Sequence, residues 1–437
     1  MLRRLTCSLL SCCLLAGCSP ETPVTEIRAE PASTAQLQFE VSPGTDNWPW
    51  WRGPASNGKS PVPPETPLPV EWSKTKNVVW EADVPGRGHS SPAVRDSRIF
   101  IATADEQAQV QSLLAYDRET GKSLWQTPIH REGFEHAHET NSQASATPAC
   151  DGEQVYITFL NKKAIWLSAT DLDGHILWQT AAGPFETTHG YAASPALYKS
   201  LVIVAGDSTG KSFLAAIDRK TGNIAWRVQR PSEISFSSPV VAHVGGRDQI
   251  LMMGCDIIAG YDPLTGKMLW SYPGPTETTA GSLTFDDEHV FASGGFPDSK
   301  TLCLKGDGQG ELSAEYLVWE NKERFYVPSP VVDEGYVYAV NGEGIACCFD
   351  AATGKLKYKK RLGGGVSASP ILAGGHLYLT NQEGKTYVYK TGPKFKLVAS
   401  NKLADGGYAS PAICGGRIYL RTAHHLYCIG QMKKSAR

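Results

Sequence analysis

A unit of about 46 residues recurs along most of this 437-residue chain. Its clearest part is a polar turn, Asp-x-x-Thr-Gly, followed by a run that contains an aromatic residue. Full copies begin at Asp117, Asp218, Asp262 and Asp350, and a copy one residue shorter begins at Asp171. Apolar runs flank each turn, and glycine can adopt the left-handed conformation that closes a hairpin between them. A fixed period of this length predicts a repeat architecture in which each unit buries its apolar faces against its neighbours.

A second element, a small residue followed by proline, opens a strand in each repeat. Proline at the first position of a strand costs no ladder hydrogen bond. With the β-rich runs between copies, this element predicts four strands per repeat, which is the blade of a β-propeller. The copies are Ser91-Pro92, Thr147-Pro148, Ser194-Pro195, Ser238-Pro239, Ser329-Pro330, Ser369-Pro370 and Ser410-Pro411, with Gly281-Ser282 as a copy without proline.

The ring is expected to close through the N-terminal part of the chain. Only three strands fit after Pro411, the last ending near Ile429, whereas residues 77–80 are typical of an outer strand without its own blade. We therefore predict an all-β, eight-bladed β-propeller whose last blade is completed by an N-terminal outer strand, leaving no open edge in the ring. A seven-bladed alternative would discard the copy without proline, although that repeat has Trp319 as its outer-strand aromatic.

The first eighteen residues are typical of an export signal. Arg3 and Arg4 are followed by an apolar stretch, residues 9–15, that is too short to span a bilayer. The stretch ends in Leu-Ala-Gly-Cys at residues 15–18, which resembles the lipobox of bacterial lipoproteins. The resemblance implies cleavage before Cys18 and lipidation of that residue. An ordinary secretory signal is the alternative.

Composition suggests how the rest of the chain is divided. Residues 19–45 are rich in Pro, Thr, Ser and Glu, which predicts a flexible tether. Residues 46–70 form a Trp- and Pro-rich arm that is expected to pack against the protein, residues 71–430 the propeller, and residues 431–437 a short basic tail. The net charge of -2 predicts no nucleic-acid partner.

Seven cysteines follow the export signal. An odd number at irregular spacing predicts neither a disulfide framework nor a Cys-x-x-Cys metal site, so we expect mostly small buried side chains. These residues are Cys150, Cys255, Cys303, Cys347, Cys348, Cys414 and Cys428.

The repeat resembles the pyrroloquinoline quinone (PQQ) repeat over about residues 71–430. That repeat occurs in quinoprotein alcohol dehydrogenases and in non-catalytic assembly lipoproteins of the BamB type. The segment Trp-Pro-Trp-Trp-Arg-Gly-Pro at residues 48–54 also resembles the opening of PQQ-like propeller lipoproteins common in planctomycetes. Because the motif builds blades rather than an active site, the resemblance indicates the fold more strongly than the function.

The resemblance implies two alternative functions. The first is a BamB-like, non-catalytic binding or assembly scaffold, with envelope protein partners, a small-molecule ligand and no cofactor. It would be exported and lipid-anchored in the cell envelope, at the periplasmic face of the outer membrane. The second is a dehydrogenase that oxidises an alcohol or sugar with PQQ, a calcium ion held by Glu and Asn side chains, an Asp base and a vicinal disulfide.

The sequence gives the enzyme alternative little support. Cys347 and Cys348 are adjacent, but they directly precede a repeat turn and are therefore expected on a third strand. Successive side chains of a strand point to opposite faces, which opposes stacking of both sulfurs on one ligand. No Cys-x-x-Cys-His haem motif is present, and no catalytic residue can be assigned.

Histidines cluster where the repeat is interrupted. Between Trp125 and Pro148 lie 22 residues, whereas Trp226 and Pro239 enclose only 12. Such links between an outer strand and the next inner strand lie on the funnel face of a propeller. Imidazoles there suit a transition metal when neutral, or an anion when charged. A hydrated polar loop is the alternative. The candidate ligand-binding residues, on three consecutive links, are His89, His136, His138 and His189.

Overall fold

The computed structural model describes residues 26–28 and 44–431. The predicted export signal with Cys18, most of the tether and all but the first residue of the basic tail lie outside the described residues and stay predictions. Within the described part, regular structure consists of β-strands and one short 3-10 helix at Ala314–Tyr316. No helix of this part is long and apolar enough to cross a membrane.

The strands form eight separate sheets, which confirms the predicted eight-bladed propeller. The strands are β1 (Val78–Asp83), β2 (Ala93–Arg95), β3 (Arg98–Asp105), β4 (Val110–Asp117), β5 (Ser123–Arg131), β6 (Ala149–Cys150), β7 (Gln154–Asn161), β8 (Ala164–Asp171), β9 (Ile176–Pro184), β10 (Ala196–Tyr198), β11 (Leu201–Gly206), β12 (Phe213–Asp218), β13 (Ile224–Gln229), β14 (Val240–Val244), β15 (Arg247–Gly254), β16 (Ile257–Tyr261), β17 (Met268–Pro273), β18 (Thr284–Phe285), β19 (His289–Ser293), β20 (Thr301–Lys305), β21 (Gly310–Glu311), β22 (Leu317–Asn321), β23 (Val331–Asp333), β24 (Tyr336–Val340), β25 (Ile345–Asp350), β26 (Leu356–Arg361), β27 (Ile371–Ala373), β28 (His376–Thr380), β29 (Lys385–Lys390), β30 (Leu397–Lys402), β31 (Ala412–Cys414), β32 (Arg417–Arg421) and β33 (His425–Ile429). The blades, in order, consist of β2–β5, β6–β9, β10–β13, β14–β17 with β21 added as a fifth strand, β18–β20 with β22, β23–β26, β27–β30, and β31–β33 with β1.

The closing strand pairs as the sequence predicts. Strand β1 is antiparallel to β33, with Trp80 opposite Cys428 and Asp83 opposite His425. The Nε1 atom of Trp80 donates a hydrogen bond to the backbone oxygen of Arg118 in the first blade, at 3.1 Å. Strand β1, which completes the last blade, therefore also joins that blade to the first.

At five of the eight blade junctions, a tryptophan of the outer strand packs on the glycine of the next blade's turn. In the third blade, a Cβ atom added to Gly222 would lie 2.7 Å from the indole of Trp178. The indole nitrogen of Trp178 in turn donates to the backbone oxygen of Arg219, at 3.0 Å. Glycine is thus required here for two reasons: its φ of +72° is disfavoured for other residues, and the close indole leaves no room for a Cβ atom. The same arrangement joins Trp80 to Gly121, Trp125 to Gly174, Trp226 to Gly266 and Trp319 to Gly354.

Replacing Gly222 by alanine should therefore lower the free energy of unfolding by about 2–4 kcal/mol, since it adds both backbone strain and overpacking. Gly246 is a matched control, because its φ is +76° but no atom lies within 4 Å of an added Cβ. Denaturant unfolding of both alanine variants should show Gly222→Ala as clearly the more destabilised. Equal losses would mean that the indole contact contributes nothing.

A ring of hydroxyl groups joins the innermost strands. At seven of the eight blade junctions, the backbone N–H of the small hydroxyl residue before the innermost strand donates to the hydroxyl of the corresponding residue in the next blade, at 2.8–3.1 Å. The ring closes from Ser410 to Ser91 at 3.0 Å. At the step from Ser238 to Ser282, the hydroxyl of Ser282 instead accepts from Nε1 of Trp51, at 3.4 Å. This ring gives the physical reason for a small hydroxyl residue before each strand-opening proline.

The Trp- and Pro-rich arm crosses the central channel. Trp48 forms two backbone hydrogen bonds with Val94 of the first blade, at 2.8 and 2.7 Å, and Pro49 accepts from Cys150 of the second. The Arg52 guanidinium donates to backbone oxygens beside the sixth blade, and Ser60 reaches the seventh and eighth. Trp48 is 2% exposed, so the expectation that the arm packs against the protein is confirmed.

Candidate functional site

A cavity of about 490 Å³ lies at the funnel end of the channel. It is bounded by the links that lead from each outer strand to the next inner strand, and the hydroxyl ring also contributes to its lining. Trp51 of the arm lines the cavity as well, because its indole nitrogen reaches Ser282. The volume is within the usual range for small-molecule sites.

Three of the four predicted histidines line this cavity: His89, His138 and His189. His136 is exposed and is not among the lining residues, so the structure does not bring it to the site. The rings of His138 and His189 are stacked, with centroids 5.3 Å apart. Asn141 fixes the pair by donating from Nδ2 to the backbone oxygen of His189, at 2.8 Å. The ligand-binding role of these histidines stays a prediction.

His89 is held neutral by its surroundings. Its ring stacks on Tyr408, with centroids 4.1 Å apart. Burial, together with the positive charges of Arg421 and Arg87, lowers the pKa of His89 to about 3. Arg421 is itself 1% exposed and donates to the backbone oxygens of Ser90 and Ala102. His89 therefore offers no positive charge to an anion near neutral pH.

This neutral histidine makes stability depend on pH. Because the pKa of His89 in the folded state, about 3, is below the unfolded value of about 6.5, the unfolded chain binds more protons between these values. Folding should therefore lose stability as pH falls from 6.5. The His89→Gln variant cannot take up that proton. Between pH 7 and about 4, we expect its free energy of unfolding to fall by about 1–3 kcal/mol less than that of the wild type.

Denaturant unfolding at several pH values measures this difference. His175 is the control, because the hydrogen bond and charge of Asp171 raise its pKa rather than lower it. His175→Gln should shift the pH dependence in the opposite direction. If His89→Gln and the wild type show parallel pH profiles, His89 is not the group that is held neutral.

Histidine is the only basic residue type among the described residues that line the cavity. Among the described residues that line it there is no aspartate, glutamate, lysine or arginine. The carboxylates of the long link point elsewhere; Glu135, for example, accepts from the backbone of Lys163 at 2.9 Å. No group of three or more His, Cys, Asp or Glu side chains that could hold a metal ion occurs in the described part of the chain. The metal interpretation of the histidine links thus gains no support.

The adjacent cysteines lie away from this site. Cys347 and Cys348 are on β25, the third strand of the sixth blade, and both are buried free thiols. Burial raises the pKa of each thiol to about 12. Neither lines the cavity. The other five cysteines that follow the export signal are also free and buried.

A regular feature of the repeat, which the sequence analysis missed, supplies much of the cavity lining. The residue two positions before each ring hydroxyl lines the cavity in all eight blades, because residues at i and i+2 of an extended chain face the same side. Only His89 among these was predicted. The eight residues are His89, Ser145, Ala192, Phe236, Ala280, Val327, Ser367 and Tyr408.

The eight sheets, the turn glycines and the hydroxyl ring define a β-propeller of the PQQ-like repeat class. A family model described as outer membrane protein assembly factor BamB matches residues 47–171, 109–303 and 312–394. The chain belongs to this family.

Individual relatives are distant. The chain is 22% identical over 343 residues to outer membrane protein assembly factor BamB of Yersinia pestis, a match that covers 77% of this chain and 73% of that protein. It is 24% identical over 324 residues to tetrathionate hydrolase of Acidithiobacillus ferrooxidans, covering 70% of this chain and only 51% of the hydrolase.

Solved structures show the same fold. BamB from Moraxella catarrhalis superposes with a TM-score of 0.59 at 14% identity, over 82% of this chain and 98% of that one. Quinohemoprotein alcohol dehydrogenase from Comamonas testosteroni superposes with a TM-score of 0.61 at 13% identity, over 92% of this chain and 83% of that one. Binders and enzymes share this fold, so function must be argued from the site.

Proposed function

We propose that this protein is a non-catalytic binding scaffold of the cell envelope. In this proposal Cys18 carries a lipid anchor, the propeller lies at the periplasmic face of the outer membrane, and envelope proteins are its partners. The family description and the Yersinia relative support this location and role. The observation that carries the non-catalytic part is the absence of carboxylate, lysine and arginine side chains among the described residues of the cavity lining.

The residues of the cavity do not fit PQQ with calcium. PQQ carries three carboxylates, which call for cationic partners, and calcium prefers carboxylate oxygens among its ligands. Asn141 lines the cavity, but the described lining has neither a carboxylate to hold the ion or act as a base nor a lysine or arginine to pair with the quinone. Burying unpaired charges there would be costly.

The outer rim offers surfaces for protein partners. Apolar side chains are more than 40% exposed on outermost strands, as at Leu124 on β5 and Leu177 on β9. Strand addition at such edges is a common mode of recognition. At the third blade, Ile27 of this chain already pairs with the outer strand β13, since its backbone exchanges hydrogen bonds of 3.0 and 2.9 Å with that of Arg227.

Dye-linked turnover tests the non-catalytic proposal. The mature protein, supplied with PQQ and calcium, should reduce no artificial electron acceptor with any of a panel of alcohols and sugars. A quinoprotein dehydrogenase of known activity, treated identically, shows that the assay works. Turnover by this protein would contradict the scaffold proposal and favour the enzyme alternative.

A further inference from the structure

We propose that the funnel cavity binds a neutral sugar, with aromatic faces and hydroxyl donors of this chain recognising its ring. The inference rests on the proposed function and names the ligand class of the same cavity. It follows from three properties of the lining: aromatic rings on opposing sides, hydroxyl groups with unused hydrogens, and the absence of carboxylate, lysine and arginine side chains among the described lining residues.

Two aromatic residues lie on opposite sides of the ring of blades. Phe236 lies on the link into the fourth blade and Tyr408 on the link into the eighth, which are opposite positions in an eight-fold ring. Tyr408 is kept in place by its stacking on His89. Phe236 packs edge-on against His189, with centroids 6.0 Å apart. A sugar presents C–H groups on the faces of its ring, and these pack well on aromatic rings.

The hydroxyl ring supplies donors. The hydroxyl oxygens of Ser91, Thr147, Ser194 and Ser410 each accept a backbone N–H from a neighbouring blade, at 2.8–3.1 Å. Each is less than 5% exposed and lines the cavity. In the described hydrogen bonds these four side chains act only as acceptors, so their own hydroxyl hydrogens need acceptors. Sugar hydroxyl oxygens in the cavity would provide them.

Imidazole and amide groups complement these donors. The Nδ1 atom of His138 accepts the backbone N–H of Thr140 at 3.3 Å, which leaves the Nε2–H of the ring to donate. Gln382 donates from Nε2 to Ser367 at 2.8 Å, and its Oε1 can accept. Each hydroxyl of a sugar both donates and accepts, which matches this mixed set.

Other ligand classes fit less well. The described lining offers an anion neither lysine nor arginine, and it offers a cation no carboxylate. A flat apolar ligand would fill the space between the aromatic rings but would leave the buried hydroxyl hydrogens unsatisfied, which costs about 1–3 kcal/mol for each buried donor. A neutral sugar can both pack on the aromatic faces and accept hydrogen bonds from the hydroxyl groups.

Calorimetry and saturation-transfer NMR test the proposal with glucose, N-acetylglucosamine, maltose and cellobiose as probes. At least one of these neutral sugars should bind the mature protein. Gluconate and glucose 6-phosphate should bind about tenfold or more weakly, since the described lining offers no lysine or arginine to pair with their negative charge. Tyr408→Ala and Phe236→Leu should each weaken the binding of the neutral sugar by about tenfold.

Tyr198→Ala is the matched control, because Tyr198 is at the far end of an innermost strand, away from the cavity. It should leave affinity unchanged, and thermal melting confirms that each variant folds. The proposal is overturned if no neutral sugar binds at millimolar concentration, if the charged analogues bind as well, or if the cavity variants bind like the control. None of these results requires quinone-dependent turnover, so a failed ligand proposal remains distinct from a failed scaffold proposal.

Discussion

Deleting residues 71–85 should abolish cooperative folding, or lower the free energy of unfolding by more than about 5 kcal/mol. The deletion removes β1, so β33 becomes an open edge and the first and last blades lose the Trp80 contact. An unpaired edge invites aggregation, and a ring without its closing strand loses cooperativity. Denaturant unfolding with light scattering measures both effects.

Deletion of residues 29–43 is the control for this experiment. It shortens the chain by the same number of residues but removes none of the described contacts. Its unfolding curve should match that of the full chain. If the two deletions unfold alike, closure of the ring by the N-terminal strand is wrong.

Trp48→Ala should lower the free energy of unfolding by about 3–5 kcal/mol, as expected for a fully buried aromatic. The indole is 2% exposed and belongs to the cluster of buried side chains that joins the first blade to the last two. It also packs against Gly53, where an added Cβ atom would lie 2.8 Å away. Calorimetric melting gives the size of the effect.

Trp51→Ala is the comparison, because Trp51 lies three residues away in the same arm but faces the cavity and is only partly buried. It should cost less than half as much stability. A reversed order would show that the arm is held by its cavity-facing side rather than by the burial of Trp48.

The blades were predictable because their signals are local. The turn residues at Asp117 and Gly121 act within a few positions, and the Asp117 carboxylate accepts from Thr120 at 2.8 and 2.7 Å. Closure was predictable from strand counting. The turn glycines also contact Trp rings of the preceding blade. This second role was not predictable, because the contact joins residues about 40 positions apart.

The site was predictable only in part. His89, His138 and His189 reach the cavity because they lie on links that the repeat places at one end of the ring. His136 does not, since an irregular loop has no alternation that could assign its side chains to a face. Tyr408 was missed even though it occupies the same repeat position as His89. The arm's path across the channel depends on contacts with distant blades, as between Trp48 and Val94, and no local pattern encodes them.

Calorimetric titration of the mature protein with PQQ in the presence of calcium tests the central claim most directly. A cavity whose described lining lacks carboxylates, lysine and arginine should give no saturable heat, with wild type and Trp51→Ala giving the same flat trace. Saturable binding of one PQQ per chain that requires calcium and is lost in Trp51→Ala would contradict the account, because it would place a charged quinone cofactor in the cavity assigned to neutral ligands.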